Sequence, residues 1–273
     1  MNIVPAACAT AGIVVLGTIH KGTAGISGKI VFESLLKIPC ECIVSSEFDE
    51  VRFCNRKTVG VFITQSGETA DTLLALKKCK DLGGKTIALT NVEASSITFE
   101  ADMTLYLNAG AEIAVAATKS YVCQLLALYT MAKTCAGSPP SKAEINRLVN
   151  CARDTCAMSL YEDKIKKSNI FFIGKGADYV TALEGALKFK EITYKMTDAY
   201  QAGELKHGTI ALIDAKSVVV VVASNACDKE RLRASVSELK SRSAYEEAEG
   251  GDYAFSLLGG KLRGIFGSEE RNL

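Results

Sequence analysis

Short apolar runs alternate with longer segments of helical pattern along this chain, and this alternation limits the possible folds more than any other feature. The clearest runs are IVVL at Ile13–Leu16, VGVFI at Val59–Ile63 and KTIAL at Lys85–Leu89. None has the apolar–polar alternation of a strand with one solvated face, so we expect strands that are covered on both faces. Strands alternating with helices build βαβ units, and the sequence therefore predicts an α/β fold with parallel sheets.

The pattern occurs twice, which predicts two similar domains. Residues 1–136 are assigned to the first, 137–167 to a linker with a helix, and 168–273 to the second. The break falls at GSPPSK, whose prolines and glycine are typical of a linker. In the second domain, IALID at 210–214 is predicted to be a strand. The sequence after residue 242 shows no further strand–helix unit. We therefore expect the second domain to be incomplete.

Composition excludes several classes of function. The chain has 273 residues and a net charge of +1, which favours neither nucleic acid nor an anionic membrane as a partner. Ten cysteines occur without zinc-site spacing, and the only histidines are His20 and His207. We expect reduced thiols, a cytoplasmic location, no metal and no cofactor. The start of the chain lacks a basic segment, so a signal peptide is not expected, and its apolar runs are too short to span a bilayer.

The segment TQSGET, residues 64–69, follows the run VGVFI and precedes the helical pattern ADTLLALKKCKDL. A helix N-terminus offers unpaired amides and partial positive charge at the carboxyl end of a strand. Thr64, Ser66 and Thr69 add hydroxyl donors, and Gly67 allows a close approach of the backbone. These residues fit a phosphate site without lysine or arginine. The alternative is that Ser66 or Thr69 only caps the helix.

Charged residues form a second candidate site. Glu184, Lys188, Glu191 and Lys195 lie at positions i, i+4, i+7 and i+11 of one predicted helix, so they share a face. They are either a solvated row of ion pairs or a buried group in which Glu191 serves as a general base. His207, beside Gly208, is either a surface residue or faces a ligand. The turn GTIHKGTAG, residues 17–25, is expected to be a glycine-containing loop and a weaker candidate.

Together these segments resemble one family. TQSGETADTLLAL resembles the phosphate loop SQSGETADTL of glutamine–fructose-6-phosphate aminotransferase, also called glucosamine-6-phosphate synthase. NVEASSITFEAD, AGAEIAVAATKSY, ALEGALKFKEITY and AGELKHGTIALID resemble four further signatures of its isomerase half, in the same order. The resemblance covers roughly residues 13–223. It implies two sugar-isomerase (SIS) domains, each an αβα sandwich, with fructose 6-phosphate or a related hexose phosphate as ligand in a homodimer.

The resemblance also implies roles for individual residues. Glu191 would move a proton between C1 and C2 of the sugar through an enediol. His207 would assist ring opening from the neighbouring subunit, and Lys188 would lie beside the site with Glu184. The remaining positions are implied to bind the substrate: Thr64, Gln65, Ser66, Gly67, Thr69, Gly17, Thr18, Ala116 and Ala117.

The sequence departs from the family in four places. Thr64 stands where the family has serine, and Ala117 stands where it has the serine of an A-S-T-K motif. GTIHKGTAG replaces a GTSYHAG-like segment, which leaves only Gly17 and Thr18 matched. No glutaminase segment precedes the motifs, so a separate ammonia source is expected. The sequence ends at Leu273, before the lysine that the family ties to imine formation, and we expect this to weaken catalysis.

Three functions follow from this comparison. The first is an enzyme of aminotransferase and aldose–ketose isomerase type that acts on fructose 6-phosphate in amino-sugar biosynthesis. The second is a non-catalytic sugar-phosphate-binding or regulatory module, since the phosphate loop is present and the C-terminal lysine is not. The third is a deglycase or sugar-phosphate deaminase of the same superfamily, which ALEGALK and ELKHG fit less well.

Overall fold

The computed structural model describes residues 13–17, 19–50, 54–114, 116–156, 169–214, 217–224 and 226–241. The chain divides between Ser141 and Lys142 into two compact units. Each unit contains one parallel sheet, so the predicted α/β fold with parallel sheets is confirmed.

The sheet of the first unit has the strand order β2-β1-β3-β4-β5. Every pairing in it is parallel. The central strand β3 is buried along its whole length, as its uninterrupted apolar sequence predicts. The strands are β1 Ile13–Gly17, β2 Cys40–Val44, β3 Val59–Ile63, β4 Lys85–Thr90 and β5 Met103–Tyr106.

Helices cover both faces of this sheet. The helices of the unit are α1 Ile19–Leu36, α2 Ala70–Asp81, α3 Ser96–Glu100 and α4 Lys119–Cys135, with a 3₁₀ helix at Ser45–Glu50. One face of β3 and β4 packs Phe62 and Ala88 against Leu76 of α2 and Ile97 of α3. Helix α1 packs on β1 and β2 and also against α4.

The second unit has the strand order β7-β6-β8, again parallel. Side chains of β6 point alternately to its two faces. Ile170 and Phe172 pack with Ala182 of α6, whereas Ile173 packs with Leu232 of α7. The elements are α5 Lys142–Cys156, β6 Asn169–Gly174, α6 Ala177–Thr193, β7 Thr197–Gln201, β8 Ser217–Val221 and α7 Ala226–Ser241, with 3₁₀ helices at Glu204–His207 and Thr209–Leu212.

Each sheet has a point at which successive strands are added on opposite sides of the first strand, here called the sheet reversal. In the first unit the chain adds β2 on one side of β1 and β3 on the other. In the second unit, β7 and β8 flank β6 in the same way. Ligands of open α/β sheets bind beyond the carboxyl ends of the strands at such a reversal. The candidate loop at 64–69 directly follows β3 and therefore borders the reversal of the first unit.

Two local predictions are wrong. The segment IALID is not a strand, because Thr209–Leu212 forms a 3₁₀ helix. A short apolar run cannot be assigned by periodicity alone. The turn predicted at 17–25 is also wrong, because α1 already begins at Ile19. Further along the same helix, a β-carbon on Gly28 would lie 3.2 Å from Leu128 Cδ1. Glycine at this position therefore permits close packing of α1 on α4.

Two strands lack a clear sequence signal and were not predicted, β2 and β7. β7 reads TDAYQ, which is polar enough to resemble a loop, and β2 reads CECIV with an exposed Glu41. In the part of the chain that the structure describes, each pairs with one neighbour and lies at a sheet edge, where polar or charged residues are common. The helix expected within the linker 137–167 is observed as α5, and residues 157–168 lie outside the described part of the chain.

The seven cysteines whose side chains the structure describes are thiols and form no disulfide. Cys40, Cys54 and Cys79 are buried, and four others are half-buried. Cys79 on the buried face of α2 meets Cys54 in the core, with their sulfur atoms 3.3 Å apart. Within the same described ranges, no helix has the length and apolar character needed to cross a bilayer.

The packing of α2 can be tested with two leucines of that helix. Leu76 is fully buried, whereas Leu74 is 66% exposed. We expect Leu76→Ala to lower the free energy of unfolding by about 2–5 kcal/mol, because it removes buried methyl groups and leaves a cavity. Leu74→Ala should change it by less than about 0.5 kcal/mol. Urea denaturation of both variants measures the difference, and equal losses would contradict the burial of this face.

Candidate functional site

The loop between β3 and α2 is closed by its own polar groups. Thr64 is fully buried, and its backbone amide continues the β3–β4 ladder by donating to the carbonyl of Leu89 at 3.0 Å. The Thr64 hydroxyl accepts the Gly67 amide at 3.1 Å and lies 3.2 Å from the Thr69 hydroxyl. The side chains of Ser66 and Thr69 are only half-buried. Thr64 therefore shapes the loop, while Ser66 and Thr69 remain accessible.

The N-terminus of α2 has no side-chain cap. Thr69 occupies the N-cap position, but its side chain makes no capping hydrogen bond. The Ser66 hydroxyl accepts the amide of Glu68, which precedes the helix. The first amides of a helix have no carbonyl partner within it and carry partial positive charge. Of the two interpretations of TQSGET, simple helix capping is therefore not what the structure contains.

Gly67 is required where it stands. Its φ is +74°, and a β-carbon there would lie 2.0 Å from Ser95 Oγ and 2.5 Å from Ser95 Cβ. The Gly67 carbonyl accepts the amide of Ile97 at 3.1 Å. Only glycine allows the loop to lie this close to the start of α3.

Two glutamates that the sequence analysis did not select cap the neighbouring helices. Glu68 accepts both the amide and the hydroxyl of Ser96, at 2.7 and 2.6 Å, at the start of α3. Glu112 accepts the amide of Ser120 at 3.0 Å, at the start of α4. The N-cap residues themselves, Ser95 and Thr118, make no side-chain capping bond.

Both carboxyl groups are more acidic than usual. Hydrogen bonds from the hydroxyl and then the amide of Ser96 hold the pKa of Glu68 below its ordinary value. Burial alone would raise the pKa of Glu112, but hydrogen bonds from Ser120 and Thr118 outweigh it and leave that pKa lowered. The ionised carboxylates are therefore the forms that the fold stabilises.

Of the other predicted positions, Gly17 lies next to the strand that leads into this loop. Gly17 ends β1 and is the register partner of Ile63, the residue before Thr64. Asn91 donates its amide to the carbonyl of Gln65 and its side-chain nitrogen to the carbonyl of Gly110, at 3.1 and 2.8 Å. This links the loop to the segment that leads towards Ala116 and Ala117, which are both half-buried. Thr18 lies outside the described residues.

The charged face of α6 is not a solvated row, and Lys195 is not part of it because the helix ends at Thr193. The Lys188 ammonium lies 2.7 Å from Glu191 Oε2 and 3.6 Å from Glu184 Oε1. The side chains of both glutamates are only 9% exposed, and that of Lys188 is 16% exposed. Burying three charges is unfavourable unless they pair, so this arrangement is a structured cluster with one more carboxylate than ammonium.

His207 ends the 3₁₀ helix Glu204–His207 and is exposed. Lys206 beside it pairs with Glu238 of α7 at 2.7 Å, which anchors the turn to its own unit. The following Gly208 has φ +139° and so allows the chain to continue into the next 3₁₀ helix.

The sheet reversal of the second unit differs from that of the first. Asp178, in the first turn of α6, is buried, and its Oδ2 accepts the amide of Ser224, the third residue after β8, at 2.8 Å. A carboxylate of the chain itself thus lies at the end where the first unit has the hydroxyl-rich loop. Among the described residues of the two reversals, the hydroxyl-rich loop lies at the first, and at the second the Ser224 amide already has a partner in Asp178.

The sequence matches the SIS domain family over residues 8–134 and 165–245. The chain belongs to the SIS domain family. Both sheets of the structure fall within these ranges, and so does every candidate site residue.

The chain is also similar to individual members of this family. Glutamine–fructose-6-phosphate aminotransferase (isomerizing) of Caldanaerobacter subterraneus subsp. tengcongensis is 40% identical over 248 residues. That alignment covers 85% of this chain but 40% of the relative. The chain therefore spans about two fifths of the length of the curated relatives that it matches.

Solved structures agree with the fold. The C-terminal domain of glucosamine-fructose-6-phosphate aminotransferase from Francisella tularensis aligns with a TM-score of 0.76 and 25% identity, over 97% of this chain and 86% of that one. Glucosamine-6-phosphate deaminase from Thermotoga maritima aligns with a TM-score of 0.75 and 24% identity, over 94% and 82% of the two chains. The second likeness supports the fold alone.

The requirement for glycine at position 67 can be tested against a second left-handed glycine. Gly110 has φ +71°, but a β-carbon there would meet no atom within 4 Å. Both alanine variants carry the left-handed strain of about 1–2 kcal/mol. Gly67→Ala adds overpacking of about 1–3 kcal/mol against Ser95. Chemical denaturation should therefore rank Gly67→Ala as the less stable variant, and the reverse order would contradict the loop geometry.

The helix-capping glutamates predict an acid-dependent loss of stability. Because their pKa values are lower in the folded state, their contribution is present above their ordinary value of 4.5 and is lost as pH falls through the folded values. In the double variant Glu68→Gln/Glu112→Gln, these groups no longer titrate. Its melting temperature should lie below that of the parent at pH 7 and approach it as the pH falls below 4.5. A gap that stays constant with pH would contradict the capping role.

Proposed function

We propose that this chain binds fructose 6-phosphate and interconverts ketose and aldose sugar phosphates, as an isomerase domain of glucosamine-6-phosphate synthase type. The observation that carries the proposal is the uncapped, donor-rich loop at the sheet reversal of the first unit. The similarity of the chain to proteins named glutamine–fructose-6-phosphate aminotransferase supports a hexose phosphate as the class of substrate. We propose that the complete reaction of this type also adds an amino group to the sugar, which yields glucosamine 6-phosphate.

The phosphate is proposed to bind at the 64–69 loop. Ser66 and Thr69 have accessible hydroxyls, and the first amides of α2 add partial positive charge. Gln65 contributes from the same loop, whereas Thr64 and Gly67 fix its shape. Donors of this kind bind a dianion without lysine or arginine. The positions Gly17, Thr18, Ala116 and Ala117 are proposed to contact the sugar.

Glu191 is proposed to be the general base. Its carboxylate would remove the proton from C1 of the open-chain ketose and return it at C2, through an enediol. The Lys188 ammonium, 2.7 Å from that carboxylate, positions it and places positive charge near the developing enediolate. Glu184, paired with the same ammonium, holds Lys188 in place.

Several further assignments belong to the same proposal. His207 is proposed to assist opening of the sugar ring in a homodimer, from the neighbouring subunit. The ammonia for amination would come from a source outside the sequence described here. We propose domain limits of 1–136 and 168–273 joined by 137–167, and a cytoplasmic location. None of these assignments is needed for binding of the phosphate.

The proposal is tested by adding fructose 6-phosphate to the parent protein and to Glu191→Gln. We expect the ligand to raise the melting temperature of both, since binding to the folded state stabilises it by mass action. Only the parent should form glucose 6-phosphate, because the amide cannot accept the proton. Glu93→Gln, an exposed position elsewhere, is the matched control and should turn over like the parent.

Three results would change the conclusion. Equal turnover by Glu191→Gln and the parent would remove Glu191 from the base role. Stabilisation without any product in the parent would favour a sugar-phosphate-binding module. Absence of any stabilisation by fructose 6-phosphate would contradict the proposed ligand.

A further inference from the structure

Glu68 raises an electrostatic question. It lies inside the loop TQSGET, between Gly67 and Thr69, where a phosphate dianion is proposed to bind. A carboxylate this close to an anion repels it unless the charge is directed away and compensated. The role of Glu68 must therefore be found in the contacts of its side chain.

The Glu68 carboxylate is bound by the start of α3. Its Oε1 accepts the Ser96 amide at 2.7 Å, and its Oε2 accepts the Ser96 hydroxyl at 2.6 Å. The Ser95 side chain, which would otherwise cap this helix, donates instead to the carbonyl of Val92 at 2.9 Å. Glu68 thus caps α3 from a different part of the chain.

Two carbonyls of the same loop are bound by the same neighbouring segment. The carbonyl of Gln65 accepts the amide of Asn91 at 3.1 Å and the hydroxyl of Thr90 at 3.4 Å. The carbonyl of Gly67 accepts the amide of Ile97 at 3.1 Å. Three acceptors that would repel a phosphate are therefore held by β4, α3 and the turn between them.

We propose that Glu68 is a positioning residue, whose carboxylate fixes the phosphate loop to the start of α3 so that the loop presents donors to the ligand. This inference rests on the proposed function, because it concerns the same loop. Glu68 does not touch the phosphate. It acts through Ser96, and through the orientation that the contact imposes on Gly67 and Thr69.

For the change in anion affinity when Glu68 is removed, the proposal predicts the opposite sign from charge repulsion alone. If Glu68 acted only by its charge, its removal would tighten the binding of an anion. If Glu68 positions the loop, Glu68→Ala should weaken that binding even though a negative charge is removed. Glu68→Gln separates the two effects, because its amide oxygen can still accept the Ser96 amide and its nitrogen can donate to the Ser96 hydroxyl.

The experiment measures dissociation constants for fructose 6-phosphate and for inorganic phosphate by calorimetry, at a temperature where every variant is folded by circular dichroism. Glu68→Ala should weaken both ligands by a similar factor, roughly fivefold, which is typical of losing exposed charge-assisted hydrogen bonds. Glu68→Gln should stay near the parent. Glu93→Ala, which removes an exposed carboxylate from the turn before α3, is the matched control for charge and should not weaken binding.

A double-mutant cycle with Ser96 tests the proposed route. If Glu68 acts through Ser96, then Ser96→Ala should weaken binding partly and add little in the presence of Glu68→Ala. Full additivity would overturn the route through Ser96.

The remaining outcomes separate the two proposals. If the parent binds neither ligand, the proposed function fails before any variant is compared. If the parent binds and Glu68→Ala binds equally or more tightly, the proposed function stands and the positioning role of Glu68 is overturned.

Discussion

The contact between Gly67 and the start of α3 is the constraint on which the candidate site depends. With φ at +74° and Ser95 Oγ only 2.0 Å from where a β-carbon would be, no other residue fits. The loop can therefore turn sharply after β3 and leave the first amides of α2 without a side-chain cap. The buried core that contains Phe62 of β3 and Leu76 of α2 fixes the strand and the helix relative to each other, so the loop between them must make this turn.

The two units use the same sheet reversal differently. In the first unit, donors collect at the carboxyl end of β3, and the carboxylate of Glu68 is held against α3. In the second unit, Asp178 fills the corresponding end with a carboxylate bound to Ser224. The chemistry proposed for the second unit lies instead on α6, where Lys188 joins two nearly buried glutamates. Under the proposed function, the first unit would hold the anion-binding loop and the second would hold the general base.

Strands that are buried on both faces could be predicted from the sequence. Strands such as VGVFI carry an uninterrupted apolar signal because both of their faces are covered. The edge strand TDAYQ was missed because its residues meet solvent and lack that signal. The start of the helix from Ile19 is predicted as a turn because three glycines fall within residues 17–25, whereas the packing of this helix on α4 joins residues far apart in sequence and leaves no local signal.

The candidate site was only partly predictable for the same reason. Motifs located the loop and the charged face of α6, but spacing alone could not tell a solvated face from a buried one. Glu68 and Glu112 were not selected, since each caps a helix elsewhere in the chain. One signal was available: neither α3 nor α4 has Glu or Gln three residues after its N-cap, the position from which a local capping box is completed. Which distant residue replaces it depends on the tertiary fold.

The most direct test of the central claim is amide hydrogen exchange of the protein with and without fructose 6-phosphate. If the loop binds the phosphate, peptides covering residues 64–76 should exchange more slowly with ligand, because the first amides of α2 gain an acceptor. Peptides from the sheet reversal of the second unit around Asp178 should change less. Protection elsewhere in the chain with no change in residues 64–76 would contradict the account.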